Sequence, residues 1–167
     1  MDKSLALAKE LHIPVTIAVL MINRGVTTIE EAKHFLHADL ALLHDPFLMA
    51  GMGEAVKRVI RAIDDKESIT VFCDYDVDGV TSAAFLTHFF RDLDCAVTAY
   101  LPERHIEGYG LNSDAVRKIR EQGTTLMITA DCGITGVKEV ALANELGLDV
   151  IVTDHHQVGE EGLPKAV

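Results

Sequence analysis

The sequence has no tryptophan, and its aromatic residues make up 5% of 167 positions. A platform of interleaved aromatics on which nucleic-acid bases stack is therefore not available on this chain. Basic residues are scarce as well. Fifteen Lys and Arg face 26 Asp and Glu, for a net charge of −11. A standing basic surface for phosphate backbones is not expected, so a polyanionic partner would need metal ions or another domain to offset the charge. No apolar run approaches the about 20 residues of a membrane helix. The start, Met1-Asp2-Lys3-Ser4, lacks the basic residues, apolar stretch and cleavage site of a secretory signal. Cys73, Cys95 and Cys132 are odd in number and show no C-x-x-C spacing. They read as small buried residues in a reducing cytoplasm rather than as a disulfide or zinc site.

What is present is a globular composition, 49% hydrophobic and 25% charged, in a chain long enough to bury a core. The rhythm changes near Ser68. Before it, the periodic stretches are helical. Thr28 and Glu31 have capping-box spacing ahead of a short helix over Glu30–Leu36, and Val56, Val59, Ile60 and Ile63 mark an amphipathic helix over about 54–64. His44-Asp45-Pro46 reads as a turn. The chain is thus expected to have a helical lead-in over 1–67 and an α/β domain over 68–167.

In that second part, β-branched runs alternate with helical ones. Strands are expected at Ile69–Cys73, Ala96–Tyr100, Leu126–Thr129 and Val150–Thr153. Helices are expected over Val80–Asp92, from an N-cap at Ser113 to Gly123, and over Val137–Leu146. This order implies right-handed βαβ units, a mostly parallel sheet and flanking helices. The strand sequences lack polar alternation, as in sheets covered on both faces.

Ligands of open α/β sheets bind beyond the carboxyl ends of the strands, and there three of the four strands run into acids. These are Asp74-Tyr75-Asp76-Val77-Asp78-Gly79, Asp131-Cys132-Gly133 and Asp154-His155-His156. Five carboxylates and two imidazoles would share one crevice. Such charges repel unless their pKa values rise or cations sit among them. Carboxylates with one or two imidazoles suit Mn²⁺ or Mg²⁺. Two such ions about 3.5–4 Å apart form the clamp of phosphoryl-transfer hydrolysis.

Simpler readings explain single motifs. Asp74-x-Asp76-x-Asp78-Gly79 matches the opening of a calcium-binding EF-hand loop, but Phe85 stands where that loop needs a bidentate Glu, and a strand precedes it. Haloacid-dehalogenase-type phosphatases also open on a strand-end Asp-x-Asp, but with Thr directly after the Gly, where this chain has Val80. A strand-end Asp such as Asp131 is often a helix N-cap. His12, His34, His37, His44 and His88 read as structural or surface residues, and nothing assigns His105 a role.

Taken together, these three motifs and Arg104…Glu107-Gly108-Tyr109-Gly110-Leu111-Asn112 resemble the DHH phosphoesterase superfamily. Within it they are most similar to the RecJ-type single-stranded-DNA-specific exonucleases, which open the first motif with Asp where the small-molecule members usually have His. The resemblance implies that Asp76 binds one metal ion, Asp78 the other, and that Asp131 bridges them. It implies that His155 binds the second ion and that Asp74 completes the first site, directly or through water. His156 would face the scissile phosphate and Arg104 would approach a substrate phosphate. Cys132 occupies a variable position. Two Mn²⁺ or Mg²⁺ ions, a single-stranded DNA substrate cut 5′→3′ to mononucleotides in repair and recombination, a cytoplasmic location, and single-strand-binding protein as a candidate partner are further implications. Proteins of this type are several times longer. The resemblance places a further acidic ligand, a second domain and an OB-fold beyond Val167, which would leave this fragment weakly active or inactive. A small-molecule phosphoesterase and an inactive DHH-like binding module are the alternative readings.

Overall fold

The computed structural model describes residues 3–37, 39–103, 107–108 and 110–167. The chain divides into two compact units, Met1–Leu48 and Met49–Val167.

The first unit contains α1 (Lys3–Leu11), α2 (Val15–Asn23) and α3 (Ile29–Leu36), packed around Leu7, Ala8, Ala18, Met21 and Ala32. The expected capping box is present. Thr28 Oγ1 accepts from the Glu31 N–H, and Glu31 accepts from the Thr28 N–H. Short 3₁₀ turns follow at Leu40–Leu42 and Pro46–Leu48, the second opened by Asp45, whose Oδ1 accepts from the Phe47 N–H. The first two helices carry little amphipathic signal of their own. Their apolar residues are spread around the helix, and several of α2, including Val19 and Leu20, are exposed.

The second unit runs α4 (Met52–Asp64), β1 (Ile69–Cys73), α5 (Val77–Asp92), β2 (Val97–Tyr100), α6 (Ser113–Glu121), β3 (Leu126–Ala130), α7 (Val137–Glu145) and β4 (Asp149–Thr153). All pairings are parallel and the strand order is β2-β1-β3-β4. Period-2 alternation sorts the strand side chains onto two faces. Ile69, Val71, Cys73, Leu126, Ile128 and Ala130 form one core with Ala62 of α4 and Ala83 and Phe90 of α5. Phe72, Met127 and Val150 form the other with Ala115, Val116 and Ile119 of α6 and Val140 and Ala143 of α7. The sheet is covered on both faces, as the unbroken apolar strands require.

Three expectations are corrected by this structure. Helix α5 begins at Val77 rather than near Val80, because Asp76 caps it. The N-cap of α6 is Asn112, not Ser113; its Oδ1 accepts from the Ala115 N–H at 2.8 Å. Strand β2 is only half-buried, because it ends the sheet.

The strand order fixes where a ligand can sit. From β1 the chain crosses to one side to form β2, then returns past β1 to form β3 and β4 on the other. The direction of winding reverses between β1 and β3. The loops after these two strands diverge and open a crevice at their carboxyl ends.

Candidate metal centre

The β1 tip supplies the first acids. Asp74 is buried, and its Oδ1 accepts from the Tyr75 N–H at 2.7 Å. The backbone then turns directly into α5. A side chain at Gly79 would put its Cβ 2.1 Å from the Asp74 carbonyl oxygen, so only glycine lets the helix start this close to the strand. Asp76 accepts from the Gly79 N–H at 3.0 Å, and that bond, first among several, holds its carboxyl below the usual range. Asp78 lies exposed in the first turn of α5. Its backbone N–H also donates to the Asp76 carboxylate.

The β3 tip supplies Asp131. Its backbone is left-handed, φ 63°, a conformation costly for most side chains but tolerated by Asp. Neighbouring groups hold it there. Asp131 N–H donates to the Thr153 carbonyl at 3.0 Å, and Thr129 Oγ1 donates to the Cys132 carbonyl at 2.8 Å. The helix after this loop is capped by Gly136, so Asp131 is not an N-cap. Its carboxylate, almost wholly buried, points instead at the next strand tip.

There it meets the β4 tip. His155 Nε2 lies 2.9 Å from Asp131 Oδ1. Asp154 sits between the two loops with a side chain 2% exposed. Its Oδ2 accepts from the Ile134 N–H at 2.9 Å, and its Oδ1 accepts from the His156 N–H at 3.0 Å and pairs with His156 Nδ1 at 2.7 Å. The two imidazoles lie with ring centroids 4.5 Å apart. Ligand atoms of Asp131, His155 and His156 all fall within 4.8 Å of one another.

The electrostatics reflect this crowding. Burial pushes the Asp131 carboxyl above its usual range; His155 opposes that, and the facing Asp76 reinforces it. Burial also pushes Asp154 upward, but the N–H bonds from Ile134 and His156 outweigh it and hold its carboxyl low. The hydrogen bond to Asp154 raises His156, helped by Asp131 and Asp76. Behind the site the thiols are inert: burial lifts Cys73 to about 11 and Cys132 higher still. All three cysteines are free.

Of the residues read from the sequence, the fold brings Asp76, Asp131, His155 and His156 into mutual interaction. Asp74 lies beneath them, and Asp78 stands on the neighbouring helix turn. Arg104, His105 and Tyr109 lie outside the described residues. Sequence reasoning missed the part played by Asp154, counted among the acids but given no task. It also missed Glu107, which ties back to the end of β2: its Oε1 accepts from Tyr100 Oη at 2.5 Å and its Oε2 from the Glu103 N–H at 2.7 Å. The signal for Asp154 was its position between strand end and His pair.

A family model, "DHH family, N-terminal domain", matches residues 68–167. The chain belongs to the DHH family. Among curated proteins, this DHH chain is 48% identical over 160 residues to the single-stranded-DNA-specific exonuclease RecJ of Bacillus subtilis, covering 96% of this chain and 20% of that protein. It is 37% identical over 135 residues to RecJ of Thermus thermophilus, covering 81% of this chain and 20% of that protein. Solved structures agree. A crystal structure of exonuclease RecJ bound to manganese matches with TM-score 0.68 and 36% identity over 77% of this chain and 32% of that one. RecJ in complex with Mn²⁺ from Thermus thermophilus matches with TM-score 0.71 and 29% identity over 98% of this chain and 22% of that one. The chain thus spans about a fifth of the length of the curated relatives named here.

Proposed function

We propose that this chain forms the N-terminal part of the catalytic core of a metal-dependent, single-stranded-DNA-specific 5′→3′ exonuclease. The observation that carries this reading is the meeting of Asp131, His155 and His156 donor atoms within 4.8 Å, from two strand tips separated by 24 residues. The similarity to RecJ exonucleases supplies the substrate class.

The donor set fits a divalent ion. Carboxylate oxygens with imidazole nitrogens suit Mn²⁺ or Mg²⁺. The upward push on Asp131 from burial and from Asp76 marks negative charge that such a cation would compensate. Asp76, Asp78, Asp131 and His155, with Asp74 completing the set, would hold the ions in this reading. When bound, the ions supply Lewis-acid polarisation of the phosphoryl group and activation of water. The chain's own groups orient the substrate. His156 donates to a phosphoryl oxygen of the scissile linkage, and Arg104 holds a neighbouring phosphate. The N-terminus of α5 lies at the same end of the sheet, and the positive end of its dipole favours anions there. Residues 68–167 are the catalytic part and 1–67 the helical lead-in. A role in DNA repair and recombination, a cytoplasmic location and an encounter with single-strand-binding protein belong to the same reading. No helix among the described residues is long and apolar enough to cross a membrane.

The test is hydrolysis of a 3′-labelled single-stranded oligonucleotide with Mn²⁺ by the 167-residue chain and by a protein of the relatives' length that contains it. The longer protein should shorten the strand from its 5′ end and release mononucleotides, and the 167-residue chain should be far weaker. Comparable specific activity of the two overturns the assignment of this chain as a partial core. Pyrophosphate hydrolysis without oligonucleotide cleavage overturns the substrate class.

A further inference from the structure

Both carboxylate oxygens of Asp154 are already engaged by the protein. One oxygen is taken by the Ile134 N–H of the β3 loop, the other by the backbone N–H and ring Nδ1 of His156 after β4. It is also the most deeply buried carboxylate of the β4 tip, with its side chain 2% exposed against 44% for the His156 ring. We propose that Asp154 is a positioning residue, a buried clamp that joins the β3 and β4 loops and holds His156 in its Nδ1–H tautomer; as a contribution to catalysis this rests on the phosphoesterase reading above.

The chemistry follows from what each atom can do. A carboxylate oxygen only accepts, so the nitrogen 2.7 Å from it carries the proton. The other ring nitrogen is then the acceptor of the neutral ring, or its second donor when the ring is protonated. An imidazole oriented by a buried carboxylate is a recurrent way of fixing which nitrogen faces a site. The Ile134 bond does a second job. Ile134 lies three residues after Asp131, in the loop that begins with the left-handed Asp131 backbone. The same carboxylate therefore holds the Asp131 loop against the strand that carries both histidines. Removing it would loosen Asp131 and His156 together, though it touches neither substrate nor ion.

The test needs neither metal nor DNA. Long-range ¹H–¹⁵N correlation spectra of the metal-free 167-residue chain at pH 8.5 report the tautomer of each neutral histidine. The His156 ring should be found as the Nδ1–H form, against the Nε2–H preference of a free imidazole. In Asp154→Asn the side-chain amide can donate to Nδ1, and the ratio should invert toward Nε2–H. A His156 ring in the Nε2–H form in the unaltered chain overturns the proposal without recourse to a variant. An unchanged tautomer in a folded Asp154→Asn chain overturns it as well. If the tautomers behave as expected but the longer protein fails to hydrolyse DNA, the clamp stands and the phosphoesterase reading falls.

Discussion

Asp131 and His155 stand 24 residues apart, yet His155 Nε2 lies 2.9 Å from Asp131 Oδ1, across the tips of two adjacent parallel strands. Neither side chain needs the other for folding of its own strand. The contact exists because β3 and β4 pair in a register that sets Ala130 opposite Thr153, leaving the next residues of both chains at one height. It gives the clearest handle on the proposed metal site.

Asp131→Asn should remove the charge while keeping the left-handed backbone, since Asn tolerates that conformation as well as Asp does. Mn²⁺ affinity measured by titration calorimetry should fall at least about tenfold, with an unchanged circular dichroism spectrum. Unaltered chain in Mn²⁺ at a hundred times its Kd should gain about 2.7 kcal/mol of stability, and the variant at the same concentration should gain much less. Equal stabilisation of both would show that Asp131 is not a ligand.

Asp76 carries two tasks that substitution can separate. It caps α5 through the Gly79 N–H and faces Asp131. Asp76→Asn keeps a capping oxygen and should unfold in urea within about 0.5 kcal/mol of the unaltered chain, yet bind Mn²⁺ more weakly. Asp76→Ala should show the same loss of affinity and a further stability cost of about 1 kcal/mol.

Gly79→Ala should be among the most damaging single changes in the chain. The new Cβ would meet the Asp74 carbonyl oxygen at 2.1 Å, and backbone rather than a flexible side chain would have to move. A loss of more than about 2 kcal/mol is expected from urea unfolding. Gly25→Ala has open space around the added Cβ, but the φ of +82° strains it. It should cost less, near 1 kcal/mol.

At the opposite end of the sheet, where the strands begin, Arg58 is buried and bonds Glu67 through both terminal nitrogens, at 3.0 and 2.7 Å, and Asp149 through Nε at 2.5 Å. The bond from Arg58, before any other cause, holds the Glu67 carboxyl below its ordinary value of 4.5. A carboxyl lowered in the folded state binds fewer protons there than in the unfolded chain. Its contribution is complete above pH 4.5 and is lost as pH falls through the lower, folded value. Urea midpoints should therefore decline below pH 4.5. Arg58→Met takes the cation from Glu67 and leaves it only the Thr125 hydroxyl as a hydrogen-bond partner; it should cost about 3 kcal/mol at pH 7 and should flatten that acid decline. An unchanged slope in the variant would show that the pair does not carry it.

Element types were readable because each rests on local physics. The Thr28 and Glu31 capping box, the β-branched runs and the alternation of strand with helix all act over a few residues. Errors fell where a side chain chose between two local tasks. Asp76 was read only as a ligand, and so α5 was placed three residues too late. Asn112 rather than Ser113 caps α6, because either residue can cap and only the backbone path selects one. Helices α1 and α2 gave a weak pattern, since their apolar residues do not gather on one face. Asp154 was visible but mute, because the one of its three bonds that crosses to another loop, from Ile134, joins segments that the sequence cannot place side by side.

By itself, then, the sequence determined the alternation of buried strands and covering helices, and the placing of acids and histidines just past strand ends. Local spacing, capping and the lack of polar alternation are enough for that. Tertiary structure alone decided the order β2-β1-β3-β4, the crevice where the winding reverses, and which acids meet which imidazoles. Those depend on which sheet face each connecting helix covers, a choice made by packing between residues far apart in the chain.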